Sequence, residues 1–257
     1  MLLADDEPSP VLSHNLDSDS PFFLTVDHAG RRIPRRLRQL GLREERIARH
    51  IGWDIGILAV SEIMARRLAC PLLAQIYSRL VIDCNRRPGV ASSIPESSET
   101  DIIPGNLGLG PQERAARERT FLRPYQHAIE ACLDTRERQG TPTYLLAMHS
   151  CTPRYRDEVR TLSAGILWGP DDRFGRLVLE EVRALRPDED IAENQPYTVD
   201  MNNDYTVPVH AEGRGLPYVE VEIRQDLISD PAGIASWADT MATAVQRAAA
   251  RFESRGS

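Results

Sequence analysis

The chain has 257 residues, 41% of them hydrophobic and 27% charged, an ordinary balance for a globular α/β protein with a well-buried core. A net charge of −7 argues against a nucleic-acid partner, which needs a basic face, and no apolar run approaches the roughly 18 residues of a membrane span. The N-terminus lacks a basic-then-apolar signal pattern, and Cys70, Cys84, Cys132 and Cys151 show no C-x-x-C spacing, so free thiols in a reducing, cytoplasmic setting are expected.

Residues 1–20 are rich in Asp, Ser and Pro and read as a mobile tail; residues 21–257 read as a single domain. Phe22 to Asp27 reads as the first strand and ends at His28-Ala29-Gly30. Pro34 to Leu40 and Arg43 to His50 look like short helices. Asp54 is placed to open a helix over Ile55 to Leu68, which Cys70-Pro71 breaks. Leu72 to Ile76 reads as a strand. Leu80 to Arg87 reads as another, whose last residues turn polar. A long Ser-, Pro- and Gly-bearing loop spans 89–110. Its glycines are in the wrong order for a dinucleotide fingerprint, which leaves a flexible loop or lid.

Pro111 to Arg138 predicts a long helix, and Thr143 to Met148 a buried strand running into His149-Ser150-Cys151. Ala164 to Trp168 predicts a short strand, Arg173 to Leu185 a helix, and Asn194 to Tyr205 a polar loop. Tyr218 to Arg224 predicts a strand and Pro231 to Phe252 the terminal helix. Strands alternating with helices imply a three-layer α/β/α sandwich. In open α/β sheets ligands bind at the carboxyl ends of strands. Four segments end there in polar, chemically capable residues: Phe22 to His28, Leu80 to Arg87, Leu145 to Pro153 and Tyr218 to Asp226.

All 31 basic residues are arginine. This removes Schiff-base lysines and the lysine of a phosphate-binding P-loop. An anionic substrate must then be held by arginine, a planar fork suited to carboxylates. Arg79, Asn85, Arg86 and Arg87 are the anion-binding candidates, with Asp83 available to orient one of the arginines.

Two strand-end histidines beside strand-end carboxylates suggest a metal centre. A catalytic zinc takes three ligands from His, Asp or Glu and keeps a position open. His28, Asp54 and His149 are the expected ligands, and Glu222 the base that works with the activated water. Glu220 and Glu222 share one strand face, which repels itself unless a cation or Arg224 intervenes. Serine catalysis at His149-Ser150 is disfavoured: no G-x-S-x-G elbow is present, and adjacent strand residues point to opposite faces.

Several segments in order resemble the N-formylglutamate amidohydrolase family. They are Asp27-His28-Ala29-Gly30 with Ile33-Pro34, Trp53-Asp54-Ile55-Gly56, and Tyr77-Ser78-Arg79 through Asp83-Cys84-Asn85-Arg86. His149-Ser150-Cys151-Thr152-Pro153 and Glu222-Ile223-Arg224-Gln225-Asp226 complete the set. The Asn-Arg and His-Ser pairs are more distantly similar to those of zinc carboxypeptidases and aspartoacylase-type deacylases. The resemblance implies a phosphorylase/hydrolase-like fold with a mixed sheet and zinc- or other divalent-metal-dependent hydrolysis of an N-acyl amino acid. In that family the products are formate and glutamate, in histidine breakdown.

Carried over, His28 and His149 match metal-binding histidines, Asn85 and Arg86 a substrate-carboxylate pair, and Glu222 the general base. Asn194, Tyr197 and His210 fall in a segment that also looks like the family's and is expected to line the pocket. One departure stands out: zinc carboxypeptidases use a His-x-x-Glu pattern, and here Arg31 is three residues after His28. Asp54 is therefore the inferred carboxylate ligand. The alternatives are a carboxypeptidase-like or deacylase activity on another N-acyl amino acid or a small peptide, and a non-catalytic protein that binds carboxylate metabolites.

Overall fold

In a computed structural model, residues 2–256 are described. The strands are β1 (Val11–His14), β2 (Phe22–Val26), β3 (Leu72–Gln75), β4 (Ser97–Ser98), β5 (Asp101–Ile102), β6 (Tyr144–Cys151), β7 (Arg154–Tyr155), β8 (Glu158–Val159), β9 (Ala164–Leu167), β10 (Ile191–Glu193) and β11 (Tyr218–Arg224). The helices are α1 (Glu44–Ile47), α2 (Ile57–Leu68), α3 (Pro111–Arg117), α4 (Arg123–Gln139), α5 (Arg173–Leu185) and α6 (Pro231–Gly256).

Seven strands form one mixed sheet in the order β1-β3-β2-β6-β11-β9-β10. The central four, β3, β2, β6 and β11, are parallel, while β1, β9 and β10 run the other way. Every residue of β2 and β6 is buried. That matches their nearly continuous apolar sequences, because a parallel strand covered on both faces cannot alternate polar and apolar positions. Helices α2, α6 and α5 pack side by side on one face, and α4 covers the sheet from the β3 side. The result is an α/β/α sandwich.

Three expectations are corrected. Residues 11–14, assigned to the tail, form an edge strand paired antiparallel with β3. Val11 and Leu12 pack on the core, and Asn15 Nδ2 donates to the Ala69 carbonyl at 2.8 Å. Leu2 and Leu3 pack there as well, so four apolar side chains and the strand pairing dock a segment whose composition looked disordered.

Leu80 to Arg87 is buried but is not a strand; it is a run of turns. Asp83 Oδ1 accepts from the Asn85 amide at 2.9 Å and Ser78 Oγ from the Leu80 amide at 3.2 Å. Such local side-chain bonds compete with a sheet ladder. The expected long helix is present from Pro111 to Gln139, but it widens to π-type turns at Glu118–Leu122, just ahead of Pro124. Proline has no N–H to continue the regular ladder.

Gly56, not Asp54, caps α2, with φ at +83°. A Cβ on Gly56 would lie 2.2 Å from the Ile228 carbonyl oxygen. The turn that starts α2 is thus pressed against the segment after β11, and it leaves the Asp54 side chain free to point elsewhere.

Candidate active site

The carboxyl ends of β2, β6 and β11 open into a cleft of about 520 Å³. His28 lies two residues past β2, and its carbonyl accepts from the Asp54 amide at 2.9 Å, which ties the two segments together. His149 projects from β6 directly beside Glu222 of β11, its parallel register partner. Glu220, two positions back, shares that face. All five of these residues line the cleft and are buried.

The polar atoms converge in an ordered way. His28 Nδ1 lies 3.4 Å, and His149 Nδ1 3.0 Å, from the same oxygen, Asp54 Oδ2. The opposite ring nitrogens face other carboxylates: His28 Nε2 is 2.7 Å from Asp83 Oδ1, and His149 Nε2 is 3.2 Å from Asp27 Oδ2. Those carboxylates are themselves held. Arg79 donates to Asp83 Oδ2 at 2.6 Å, and the Thr206 hydroxyl donates to Asp27 Oδ1 at 2.5 Å.

This donor set can hold a metal ion. His28 Nδ1 is buried without a hydrogen-bond partner. Ligands about 2.0–2.1 Å from a tetrahedral zinc are roughly 3.3 Å apart, close to the 3.4 and 3.0 Å between the two Nδ1 atoms and Asp54 Oδ2, and one ligand atom from each of the three residues lies within 4.8 Å of the others. Metal-bound histidines typically give their second ring N–H to a carboxylate, the arrangement that Asp83 and Asp27 provide.

The electrostatics follow from burial opposed by close partners. Burial and Arg79 disfavour charge on His28, but Asp83 and Asp54 outweigh them and raise its pKa. Burial likewise opposes charge on His149, and Asp27, Asp54 and Glu220 raise it well above the usual value. Burial works against ionised Asp54, yet His28 and His149 hold it down. On the other wall burial prevails: Glu222 is pushed up to about 8, with Asp54 and Asp204 adding to the effect. Asp204 rises to about 6 for the same reason. One oxygen each of Glu220, Glu222 and Asp204 is buried and unpartnered.

A description of the N-formylglutamate amidohydrolase family matches residues 20–229. The chain belongs to that family. A crystallised gene product of Agrobacterium tumefaciens is 30% identical, over 98% of this chain and all of its own, with a TM-score of 0.94. The crystallised N-formylglutamate amidohydrolase of Ralstonia eutropha is 19% identical, over 97% of this chain and all of its own, with a TM-score of 0.70, a likeness of fold. No curated protein matches the chain.

The cleft of this family member gathers His28, Asp54, His149, Glu222, Arg79, Asn85, Arg86 and Tyr197. Some expected substrate contacts are otherwise committed. Asn85 Oδ1 accepts from the amides of Tyr205 and Thr206, both at 2.9 Å, and its Nδ2 donates to Asp204 at 2.7 Å, so Asn85 fixes the 204–206 segment. Arg79 is engaged by Asp83, as expected of Asp83, and lies 3.7 Å from Asp54.

Arg87, Asn194 and His210 are corrected: none lines the cleft. Arg87 is exposed. Asn194 Oδ1 accepts from the Trp168 amide at 2.8 Å. His210 is buried against Gln126, 2.6 Å away, where burial lowers its pKa to about 4. Sequence reasoning missed Asp27 as a partner for His149, although it immediately precedes His28. It also missed Asp204, Arg156 and the Glu96–Glu99 stretch of the cleft wall. Those residues carry no local signature; only the tertiary fold brings them in.

Proposed function

We propose that the chain hydrolyses the amide bond of an N-acyl amino acid with a divalent cation, zinc in the first instance, and that N-formyl-L-glutamate is its substrate. The observation that carries this reading is the convergence of two imidazole Nδ1 atoms on one Asp54 oxygen, each ring backed by a second carboxylate. His28, Asp54 and His149 would hold the cation, which supplies Lewis-acid polarisation of the amide carbonyl and a lower pKa for water.

Glu222 acts as the base. It sits beside His149 in register and is raised to about 8 by burial and neighbouring carboxylates. A positive charge at the histidines favours its ionised form, so it takes a proton as water oxygen bonds to the acyl carbon and the carbonyl π pair moves to oxygen. When the C–N bond breaks, Glu222 returns that proton to the leaving nitrogen. For N-formyl-L-glutamate the products are formate and L-glutamate. Asp83 and Asp27 hold the two imidazoles in orientation throughout.

Arg86 and Arg156 line the cleft, and among the described residues neither guanidinium has a carboxylate within 3.5 Å, although the Arg156 backbone amide donates to Glu99 Oε1 at 3.4 Å. They are the residues for an anionic substrate group. A second reading is deacylation of a less acidic N-acyl amino acid, favoured by the unpartnered carboxylate oxygens of Glu220 and Asp204 in the same cleft. The test is formate release from N-formyl-L-glutamate by zinc-supplemented protein with a chelator control, followed by a panel of N-acyl amino acids. Chelator-sensitive formate release is expected. Turnover of other N-acyl amino acids alone would select the second reading, and ligand binding without any turnover would select a binding protein.

A further inference from the structure

Arg160 is 5% exposed, and among the described residues no carboxylate lies within ion-pair distance of it, Glu222 acting on it only from farther off. Its guanidinium lies between two tyrosine rings, 5.5 Å from the centroid of Tyr155 and 5.0 Å from that of Tyr197. Nη2 donates to the Tyr197 hydroxyl at 3.1 Å, Nη1 reaches the Thr152 carbonyl at 3.5 Å, and Nε is unpartnered. A buried guanidinium is costly unless something is gained from it. No ion pair accounts for this one.

The direction of the hydrogen bond gives the gain. Arginine can only donate, so the Tyr197 oxygen accepts and its own hydrogen must go elsewhere. Tyr197 is 41% exposed, and among the described residues no acceptor takes that hydrogen, so it is directed to whatever occupies the cleft. Tyr197 lines the cleft together with Glu222, His149 and Asp54. We infer that Tyr197 is a hydrogen-bond donor to the acyl oxygen as it becomes an oxyanion, and that Arg160 is the positioning residue that aims and polarises it.

The inference rests on the amidohydrolase reading. Although the residue as a whole is partly exposed, desolvation of its phenol, with Glu222 adding to the effect, raises that group to about 12, so it stays protonated at neutral pH and donates rather than attacks. A donor aimed at developing charge strengthens as the charge forms. A phenol that already accepts from a cation is a stronger donor still. No proton is transferred by Tyr197; Glu222 alone carries the proton from water to the leaving nitrogen.

The test uses the full chain loaded with zinc and two ligands: N-formyl-L-glutamate, and an N-phosphonyl glutamate whose tetrahedral P–O oxygens imitate the oxyanion. Binding of each is measured by calorimetry, and kcat and KM for N-formyl-L-glutamate by formate release. Tyr197→Phe is expected to lower kcat and weaken the phosphonyl ligand by about 10- to 100-fold, with KM and binding of N-formyl-L-glutamate changed less than about threefold. Arg160→Gln is expected to weaken the phosphonyl ligand in the parent chain but to add nothing in the Tyr197→Phe background, the signature of residues acting as one unit.

Equal loss for both ligands would make Tyr197 a ground-state anchor and overturn the inference. So would unchanged phosphonyl binding in Tyr197→Phe, or additive losses in the double variant. Parent protein that binds neither ligand would refute the amidohydrolase reading and this inference with it, whereas an active parent with an unaffected Tyr197→Phe variant refutes the inference alone.

Discussion

Replacing Asp83 by asparagine separates the metal reading from a purely structural one. Asp83 is 4% exposed and serves three partners, His28 Nε2 at 2.7 Å, Arg79 Nη2 at 2.6 Å and the Asn85 amide at 2.9 Å. The amide keeps the shape but removes the charge that fixes which His28 nitrogen carries its proton. Carboxylates in this position behind metal-bound histidines typically contribute 10- to 100-fold to affinity, about 1.4–2.7 kcal/mol. Zinc affinity of Asp83→Asn, measured by competition with a chromophoric chelator, is expected to fall in that range. The variant also leaves Arg79 without its closest counter-charge. Breaking a buried pair costs about 3–5 kcal/mol, and because the Arg79 side chain is 27% exposed a loss of about 1–3 kcal/mol in unfolding free energy is expected. Arg79→Gln should show a loss of stability yet retain zinc affinity within about threefold, since His28 keeps its carboxylate. An Asp83→Asn protein with parental zinc affinity and lowered stability would refute the metal role of His28 and leave a structural ion network.

The remaining expectations share this geometry. His149→Ala should lose both bound zinc and activity; unchanged metal content by elemental analysis would remove His149 from the ligand set. Glu222→Gln should retain zinc while turnover falls by about 10²- to 10⁴-fold, and near-parental kcat would assign the base elsewhere. Zinc affinity should fall as pH drops, because neutral imidazoles ligate and the neighbouring carboxylates raise the proton affinity of His28 and His149; calorimetry in buffers of different ionisation enthalpy should register proton release, and its absence would count against both histidines as ligands. Gly56→Ala should destabilise by about 2 kcal/mol or more, since φ is +83° and the new Cβ meets the Ile228 carbonyl, an outcome that thermal or urea denaturation reads directly.

The parts of the site written into single strands were legible in the sequence. Leu145–Met148 and Phe22–Val26 are apolar runs too short for helices, and His149 and His28 follow where a buried strand reaches its ligand-binding end. Glu220 and Glu222 were placeable on one face by the two-residue period alone, although not as buried groups. What failed was whatever depended on convergence. Arg86 and Arg87 are neighbours of identical chemistry, and only the turn at Asp83–Arg86 decides that Arg86 alone faces the cleft. Asn85 looked like a substrate contact because amides bind carboxylates, but the same four hydrogen-bonding positions suit a clamp on the Asp204 carboxylate and the Tyr205 and Thr206 amides, 119 to 121 residues away. Arg160 lies on no periodic pattern and follows a hairpin of two-residue strands, so nothing local marked it.

Crowding of carboxylates is what makes this cleft more than a polar hollow. Asp27, Asp54, Asp83, Asp204, Glu220 and Glu222 are each at most 6% exposed, and desolvating so many acids is unfavourable unless they are paired or protonated. The structure divides them. Asp27, Asp54 and Asp83 lie against histidines and Arg79 and are held ionised. Glu220, Glu222 and Asp204 have no such neighbour at hydrogen-bond range and are pushed toward their neutral forms. A cation at His28, Asp54 and His149 would displace protons from the imidazoles and add positive charge beside Glu222. Losing the imidazole protons removes positive charge and by itself disfavours an ionised Glu222, whereas the charge of the cation favours it. The group that polarises the substrate would therefore also bear on the charge of the base, in place of the imidazolium charge that does so without it. The link runs through the register of two parallel strands, which places Glu222 of β11 next to His149 of β6.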